Sequence, residues 1–248
     1  YTPMAYIKPR FRQLYRERYQ TMVKGQATFF QENRETSVKT LHRFNLFKRL
    51  ESSVYAFGET VDRLLERIET LAGQLRAPSG KEIEGEVADV EEDEDDIPTI
   101  GKLKIRLEHI EVEDYLYSLA YDREQLLTIQ AEIRRIRTEE RDRKLHELLE
   151  FLRRKIVDTP YNPGNKKVLI FTAFADTADY LFRHVSKVFK PDGVHTGFVS
   201  GSRPAEADNY ALDQKFENIL NAFSPLSRLT VPVSEDDQLT ILIGTDCI

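Results

Sequence analysis

Val168-Leu169-Ile170-Phe171 is a continuous apolar run set between the breaker-rich stretch DTPYNPGNKK and a helix-like segment from Phe174 to Phe189. So short a run, unbroken by polar residues, has the pattern of a strand covered on both faces, whereas the segment after it has helical periodicity. Gly193 to Ser200 repeats the strand pattern more weakly. Ala205 to Phe223 carries Leu212, Phe216, Ile219, Leu220 and Phe223 at helical spacing, and Leu239 to Ile243 is a third apolar run. Strands and helices alternating at these lengths need crossover connections, so the pattern predicts an α/β region with a partial parallel sheet of about three strands. The prolines and glycine between Asp158 and Lys167 set a domain boundary, with 159–248 as the α/β part and 1–158 as a mostly helical part.

In the helical part, Leu50, Val54, Phe57, Val61, Leu64, Leu65, Ile68 and Leu71 follow Phe47 at steps of three and four. This spacing predicts one long amphipathic helix, ended by Pro78 and Gly80. Ile100 to Leu107 is a short apolar patch that fits either a strand or a helix start. A second helical tract begins at Leu119, with a stripe of Leu126, Ile129, Ile133, Ile136, Leu145, Leu148, Leu149, Leu152 and Ile156. TEERDRK interrupts that stripe, so a bend is expected there. Two long helices joined by a loop make a helical hairpin.

Charge is unevenly placed. The net charge is −6, but EIEGEVADVEEDEDD, residues 82–96, concentrates the acid. Lys8, Arg10, Arg12, Arg16, Arg18, Arg43, Lys48 and Arg49 make residues 8–76 basic. The acidic block is read as a solvated loop over about 78–100, because like charges at this density repel and bring too little apolar surface to offset ordering entropy. Its rival reading is an acidic mimic covering a basic nucleic-acid groove. The aromatic and basic residues from Tyr6 to Tyr19 could grip nucleic acid by stacking and charge, but aromatics at helical spacing usually pack, and packing is the preferred reading. No apolar run approaches the roughly 18 residues of a membrane span. Cys247 is the single cysteine, which excludes an internal disulfide and suggests a cytoplasmic setting, with a buried apolar role for its side chain. His42, His109, His146, His184 and His195 show no metal-ligand spacing, so no metal site is assigned.

Three loops leave the carboxyl ends of the expected strands. They are Thr172-Ala173-Phe174, Ser200-Gly201-Ser202-Arg203 and Gly244-Thr245-Asp246. Ligands of open parallel sheets bind at that edge, and small hydroxyl residues and glycine allow a backbone N–H to approach phosphate. One such loop is ordinary turn and capping chemistry; three on consecutive strands form a pattern.

The same residues carry a family resemblance. KKVLIFTAFADTADYL resembles motif IV of superfamily-two helicases of the bacterial Swi/Snf type, FVSGS resembles the Gly-Ser segment that follows, FENILNAFSP resembles the helix ending in Phe-x-Pro, and ILIGTD resembles motif V. Upstream, LFKRLESSVYAF, Leu46 to Phe57, resembles a segment between the two motor lobes of such proteins. The resemblance implies the first half of a second RecA-like lobe, truncated at motif V and preceded by an inter-lobe helical region. It implies an ATP-dependent DNA helicase or translocase, in which Thr172, Ala173, Ser200, Gly201, Ser202 and Thr245 would line a double-stranded nucleic-acid track. Gly244, Thr245 and Asp246 would lie on the nucleotide side. The family carries an arginine several residues beyond the Gly-Ser pair; here Arg203 follows directly and Asn209-Tyr210 occupies that region. The stretch SPLSRLTVPVSEDDQ also separates Phe223 from the motif V strand like an insertion.

No GxxxxGK[ST] phosphate loop occurs, and EDEDD follows no apolar strand that would make it a magnesium-binding pair. ATP and magnesium are therefore expected in the complete protein only. The chain begins at Tyr1 and ends just past an apolar run, which reads as a fragment, with no catalytic residue of its own and inert alone. Its expected partners are DNA and the missing first lobe, and a sheet cut at the motif V strand would leave an apolar edge open to self-association. A reading from another class is a non-enzymatic helical scaffold or coiled-coil protein with an appended α/β domain, which the long stripes and charged faces support.

Overall fold

The computed structural model describes residues 2–19, 21–23, 27–29, 31–78, 82–85, 103–138, 141–158, 164–226, 234 and 238–246. The acidic run 86–96, Cys247 and Ile248 lie outside the described residues, as does most of the insertion-like stretch between Phe223 and the last strand. The protein has an α/β fold, mostly helical with a small mixed sheet of four strands. It divides into two compact units: 1–48, 58–85 and 103–134 belong to the first, and 49–57 and 135–246 to the second.

In the first unit, helix α1 (Arg12–Tyr19) precedes a short antiparallel pair, β1 (Thr21–Val23) and β2 (Ala27–Phe29). Helix α2 spans Gln31–Ser52 and helix α3 spans Val54–Leu75, and their adjoining ends, 49–57, belong to the second unit. The single long helix expected through Phe47 and Leu71 is thus two helices. Ser53 divides them: its Oγ accepts a hydrogen bond from the Ala56 amide at 3.0 Å, which is an N-cap for α3. Phe47 and Leu50, expected on the buried stripe, are exposed on α2, whereas Val61, Leu65 and Ile68 of α3 are buried.

The acidic stretch also departs from expectation, because its first residues form strand β3 (Glu82–Gly85), antiparallel to β4 (Leu103–Arg106). The register sets Glu82 opposite Arg106 and Glu84 opposite Lys104. Helix α4 (Val112–Thr138) starts earlier than Leu119, with Glu113 and Asp114 in its first turn, where carboxylates complement the helix dipole. It runs antiparallel to α3: Arg123 donates to Glu69 and Gln130 to Asp62, seven residues along each helix in opposite directions.

The aromatic N-terminus packs within this unit. Tyr6 stacks on Tyr115 at 4.0 Å between ring centroids and Phe11 on His109 at 3.8 Å. The buried Tyr15 hydroxyl meets His109 Nδ1 at 2.9 Å and accepts from the Arg106 amide at 3.2 Å. These rings join Met4, Ile7, Ile68, Ile105 and Leu119 in one core, so their partners belong to this chain.

In the second unit, helix α5 (Arg143–Arg153) follows the expected interruption, with Asp142 as its N-cap accepting from the Leu145 amide, and ends in one π-helical turn, Arg154–Asp158. The sheet contains β5 (Val168–Phe171), β6 (Thr196–Val199), β7 (Glu206–Ala207) and β8 (Ile241–Gly244) in the order β5-β8-β6-β7. The first three in that order are parallel, and β7 is antiparallel to β6. Helix α6 (Ala175–Phe189) and α5 cover one face, where Leu152, Ile156, Phe182 and Phe189 meet Phe198, Ile241 and Ile243. Helix α7 (Phe216–Phe223) lies on the other, with Ile219 and Leu220 against Val199, Leu239 and Leu242.

Three expectations change here. Residues 205–215 are β7 and turns, and the helix expected from Ala205 begins only at Phe216. The motif-V-like strand β8 is not an edge, because it pairs with β5 on one side and β6 on the other. Among the described residues the edge strands are β5 and the two-residue β7, and β5 is the apolar one. Its second face is uncovered, leaving Leu169 40% and Phe171 59% exposed, so the run that reads as covered on both faces is covered on one.

Gly197 sets the spacing between β6 and α7. A Cβ there would lie 2.7 Å from Leu239 Cδ1 and 2.9 Å from Ile219 Cγ2, both on fully buried side chains. Gly197→Ala is expected to lower stability by about 1–3 kcal/mol through overpacking, measured as the shift of the urea midpoint at unchanged slope.

Candidate functional site

The three sequence-marked loops come together. Because β5, β8 and β6 are adjacent and parallel, the loops after them leave the same edge of the sheet. Two backbone hydrogen bonds join them: the Thr172 amide donates to Gly244 O at 3.0 Å and the Thr245 amide to Val199 O at 3.3 Å. Ala173, Gly201, Ser202 and Asp246 are exposed on this edge. Thr172 is half-buried, and its Oγ1 donates to Phe174 O at 2.8 Å across the start of α6. Ser200 is buried, and its Oγ accepts the Arg203 amide at 3.0 Å, which closes the Gly-Ser turn.

Thr245, assigned from the sequence to both the track and the nucleotide side, has a fully enclosed side chain. The group of that loop that reaches solvent is Asp246.

An ion network that the sequence reading did not single out underlies this edge. Asp176, in the first turn of α6, is held on both carboxylate oxygens: Arg49 Nη1 donates to Oδ2 at 3.0 Å, and Arg203 Nη2 pairs with Oδ1. Arg203 Nη1 donates to Asp179 Oδ2 at 3.1 Å, and Arg183 donates to both oxygens of Asp179, through Nε at 3.0 Å and Nη2 at 2.8 Å. Arg49 also lies 4.7 Å over the Phe174 ring. Paired charges with directed hydrogen bonds are the form in which burial of such groups is tolerated. A sequence signal exists in outline, since Asp176, Asp179 and Arg183 recur at steps of three and four along a segment otherwise rich in apolar residues.

The segment 49–57 is fastened to α6 at further points. Ser52 Oγ and Ser53 Oγ lie 2.8 Å and 3.0 Å from Thr177 Oγ1. Lys144 donates to Glu51 O and Ser52 O. Tyr55 stacks on Tyr180 at 4.8 Å and lies beneath the Arg137 guanidinium at 4.3 Å. Tyr180 donates its hydroxyl proton to Asp142 Oδ2 at 2.9 Å; burial, then this bond and the Asp142 charge, push the phenol well above its ordinary value. The residues resembling the inter-lobe segment thus meet those resembling motif IV.

Among the described residues no group of His, Cys, Asp and Glu is arranged to hold a metal ion, and no helix is long and apolar enough to cross a membrane.

Two predictions follow from these contacts. Asp176→Ala leaves Arg49 buried without its carboxylate and is expected to cost about 3–5 kcal/mol, whereas the double replacement Arg49→Met with Asp176→Leu recovers much of that loss. Denaturant unfolding of the single and double variants checks the coupling. For Tyr180, the raised folded-state value means that the folded state keeps the proton longer than the unfolded state, so its contribution is full below the ordinary value of 10.0 and is lost as pH rises above it. The stability advantage of the wild type over Tyr180→Phe should therefore shrink above pH 10.0 in pH-dependent urea melts.

Compared with family models, with curated proteins and with solved structures, the chain matches none.

Proposed function

We propose that the second unit is the nucleic-acid-contacting part of an ATP-driven helicase or translocase that moves on double-stranded DNA. The observation that carries this reading is the meeting of three Ser/Thr/Gly loops at the carboxyl ends of adjacent parallel strands, joined by the Thr172–Gly244 and Thr245–Val199 backbone bonds. An edge of this kind offers hydroxyls and backbone N–H groups at fixed spacing, which non-specific contact to a phosphate backbone needs more than base-reading side chains. In this reading Thr172, Ala173, Gly201 and Ser202 face the track, Ser200 and Thr245 hold the loops in register, and Gly244 and Asp246 lie toward the nucleotide. ATP and magnesium would be bound with a first motor lobe that carries the phosphate loop, in a longer protein of the cytoplasm.

The resemblance of the four motif-like segments and of the Arg49–Phe57 stretch supports the reading, as does the contact of that stretch with the start of α6. A second reading, a helical interaction scaffold, draws on the exposed apolar residues Leu41, Phe44, Phe47 and Leu50 of α2.

The discriminating measurement is binding of this chain to short DNA duplexes of unrelated sequence over a series of salt concentrations. The motor reading expects weak binding, indifferent to sequence, with log affinity falling linearly against log salt. No binding at low salt, or binding indifferent to salt, overturns it and leaves the scaffold.

A further inference from the structure

The ion network beneath the loop edge is sorted by burial. Its two carboxylates are inside, with side-chain exposures of 3% for Asp176 and 9% for Asp179. Of its three guanidiniums Arg183 is exposed at 65%, Arg203 is half-buried at 35% and Arg49 is buried at 4%. The part of this network that reaches solvent is guanidinium. The long arginine side chains thereby present donors toward solvent while the carboxylates that hold them stay inside.

Geometry adds a second argument. Arg203 is held by Asp176 on one nitrogen and by Asp179 on the other, and its own amide is tied to Ser200 Oγ. Arg183 is held by two nitrogens to the same Asp179. Each guanidinium is thus oriented before any ligand arrives, so little side-chain entropy remains to be lost on binding. Two guanidiniums are thus oriented on one carboxylate, near the exposed Gly201 and Ser202 that precede Arg203, and the N–H groups of a held guanidinium that do not face its carboxylate are suited to donate to phosphate oxygens.

We infer that Arg183 and Arg203 form a phosphate-contact pair for the nucleic-acid backbone, with Asp179 as the positioning residue that orients both and Asp176 tying Arg203 to the buried Arg49. This inference rests on the reading of the second unit as a DNA-contacting lobe. Arg183 extends the track along α6, beyond the three loops. The shared chemistry is a phosphate ester, which a free nucleotide also carries, so the test separates the two sources.

Affinity of the whole chain for a fluorescent duplex is measured by anisotropy across potassium chloride concentrations, with ATP and inorganic phosphate titrated separately and folding checked by thermal melts. Arg183→Gln and Arg203→Gln should each reduce the slope of log affinity against log salt by about one, and Arg203→Lys should keep the slope. Arg123→Gln, which removes an exposed charge paired with Glu69 in the first unit, should leave it unchanged. Asp179→Asn removes a negative charge, so simple screening would tighten binding; positioning predicts weaker binding instead. Arg183 is largely exposed, so its variant reports on the inference even where changes at Asp179 or Arg203 unfold the chain.

Wild-type binding with an unchanged slope in both arginine variants overturns this inference alone. Tighter binding by Asp179→Asn overturns the positioning role. Loss of ATP binding in the arginine variants with duplex binding intact assigns the pair to a nucleotide and overturns the backbone assignment. Absence of wild-type duplex binding at low salt overturns the DNA-contacting reading itself, and this inference with it.

Discussion

The carboxylate of Asp176 is shared by two guanidiniums that come from distant parts of the chain. Arg49 arrives from the end of α2 and Arg203 from the loop after β6, while Asp176 itself opens α6. A buried carboxylate with neither partner would be costly, and a buried Arg49 without the carboxylate equally so. The three elements therefore reach low energy only together, which fixes where the loop edge sits relative to the helices of its own unit. Replacing such a group by apolar residues is often harmless to stability; what the charges contribute is a requirement that the right partners meet.

Around that junction the fold uses ordinary means. The sheet is held by apolar cores on its two faces, and α5 and α6 share one while α7 takes the other. The loops after β5 and β6 are short, and backbone hydrogen bonds tie Thr172 to Gly244 and Thr245 to Val199. Ser53 ends one helix and begins the next, which frees Ser52, Ser53 and Tyr55 to meet Thr177 and Tyr180 on α6.

How much of this is legible in the sequence differs by element. The alternation of short apolar runs and helical stripes after Lys167 carries the α/β class, because periods of two and of 3.6 residues are local properties of the chain. The break at Ser53 hides within a stripe whose three-and-four spacing continues through it, and no glycine or proline marks it. Residues 205–215 mislead in the opposite direction, since Leu212 and Phe216 keep helical spacing while the backbone turns to form β7. Strand order is not a local property at all: nothing in ILIG says that it inserts between VLIF and TGFV. The same holds for the candidate site. Small hydroxyl and glycine residues mark the loops, but the arginines and aspartates beneath them look like any charged residues until the fold brings position 49 to position 176. Thr245 is visible in the sequence as a polar residue after a strand, and only the fold shows that its side chain is enclosed.

The placement of β8 also bears on how the sheet comes into being. Val168 has Ile241 as its strand partner, and Thr196 is likewise opposite Ile241, so neither β5 nor β6 has a parallel neighbour among the described residues until β8 has been made. In order of synthesis β5, α6, β6 and α7 all precede β8, so the central strand joins strands that were made before it. Long-range parallel pairing of this kind is slow because loop closure precedes any gain from contact. The time between synthesis of Phe171 and of Ile241 is therefore the interval in which this unit is most open to mispairing, and chaperone dependence would be concentrated there.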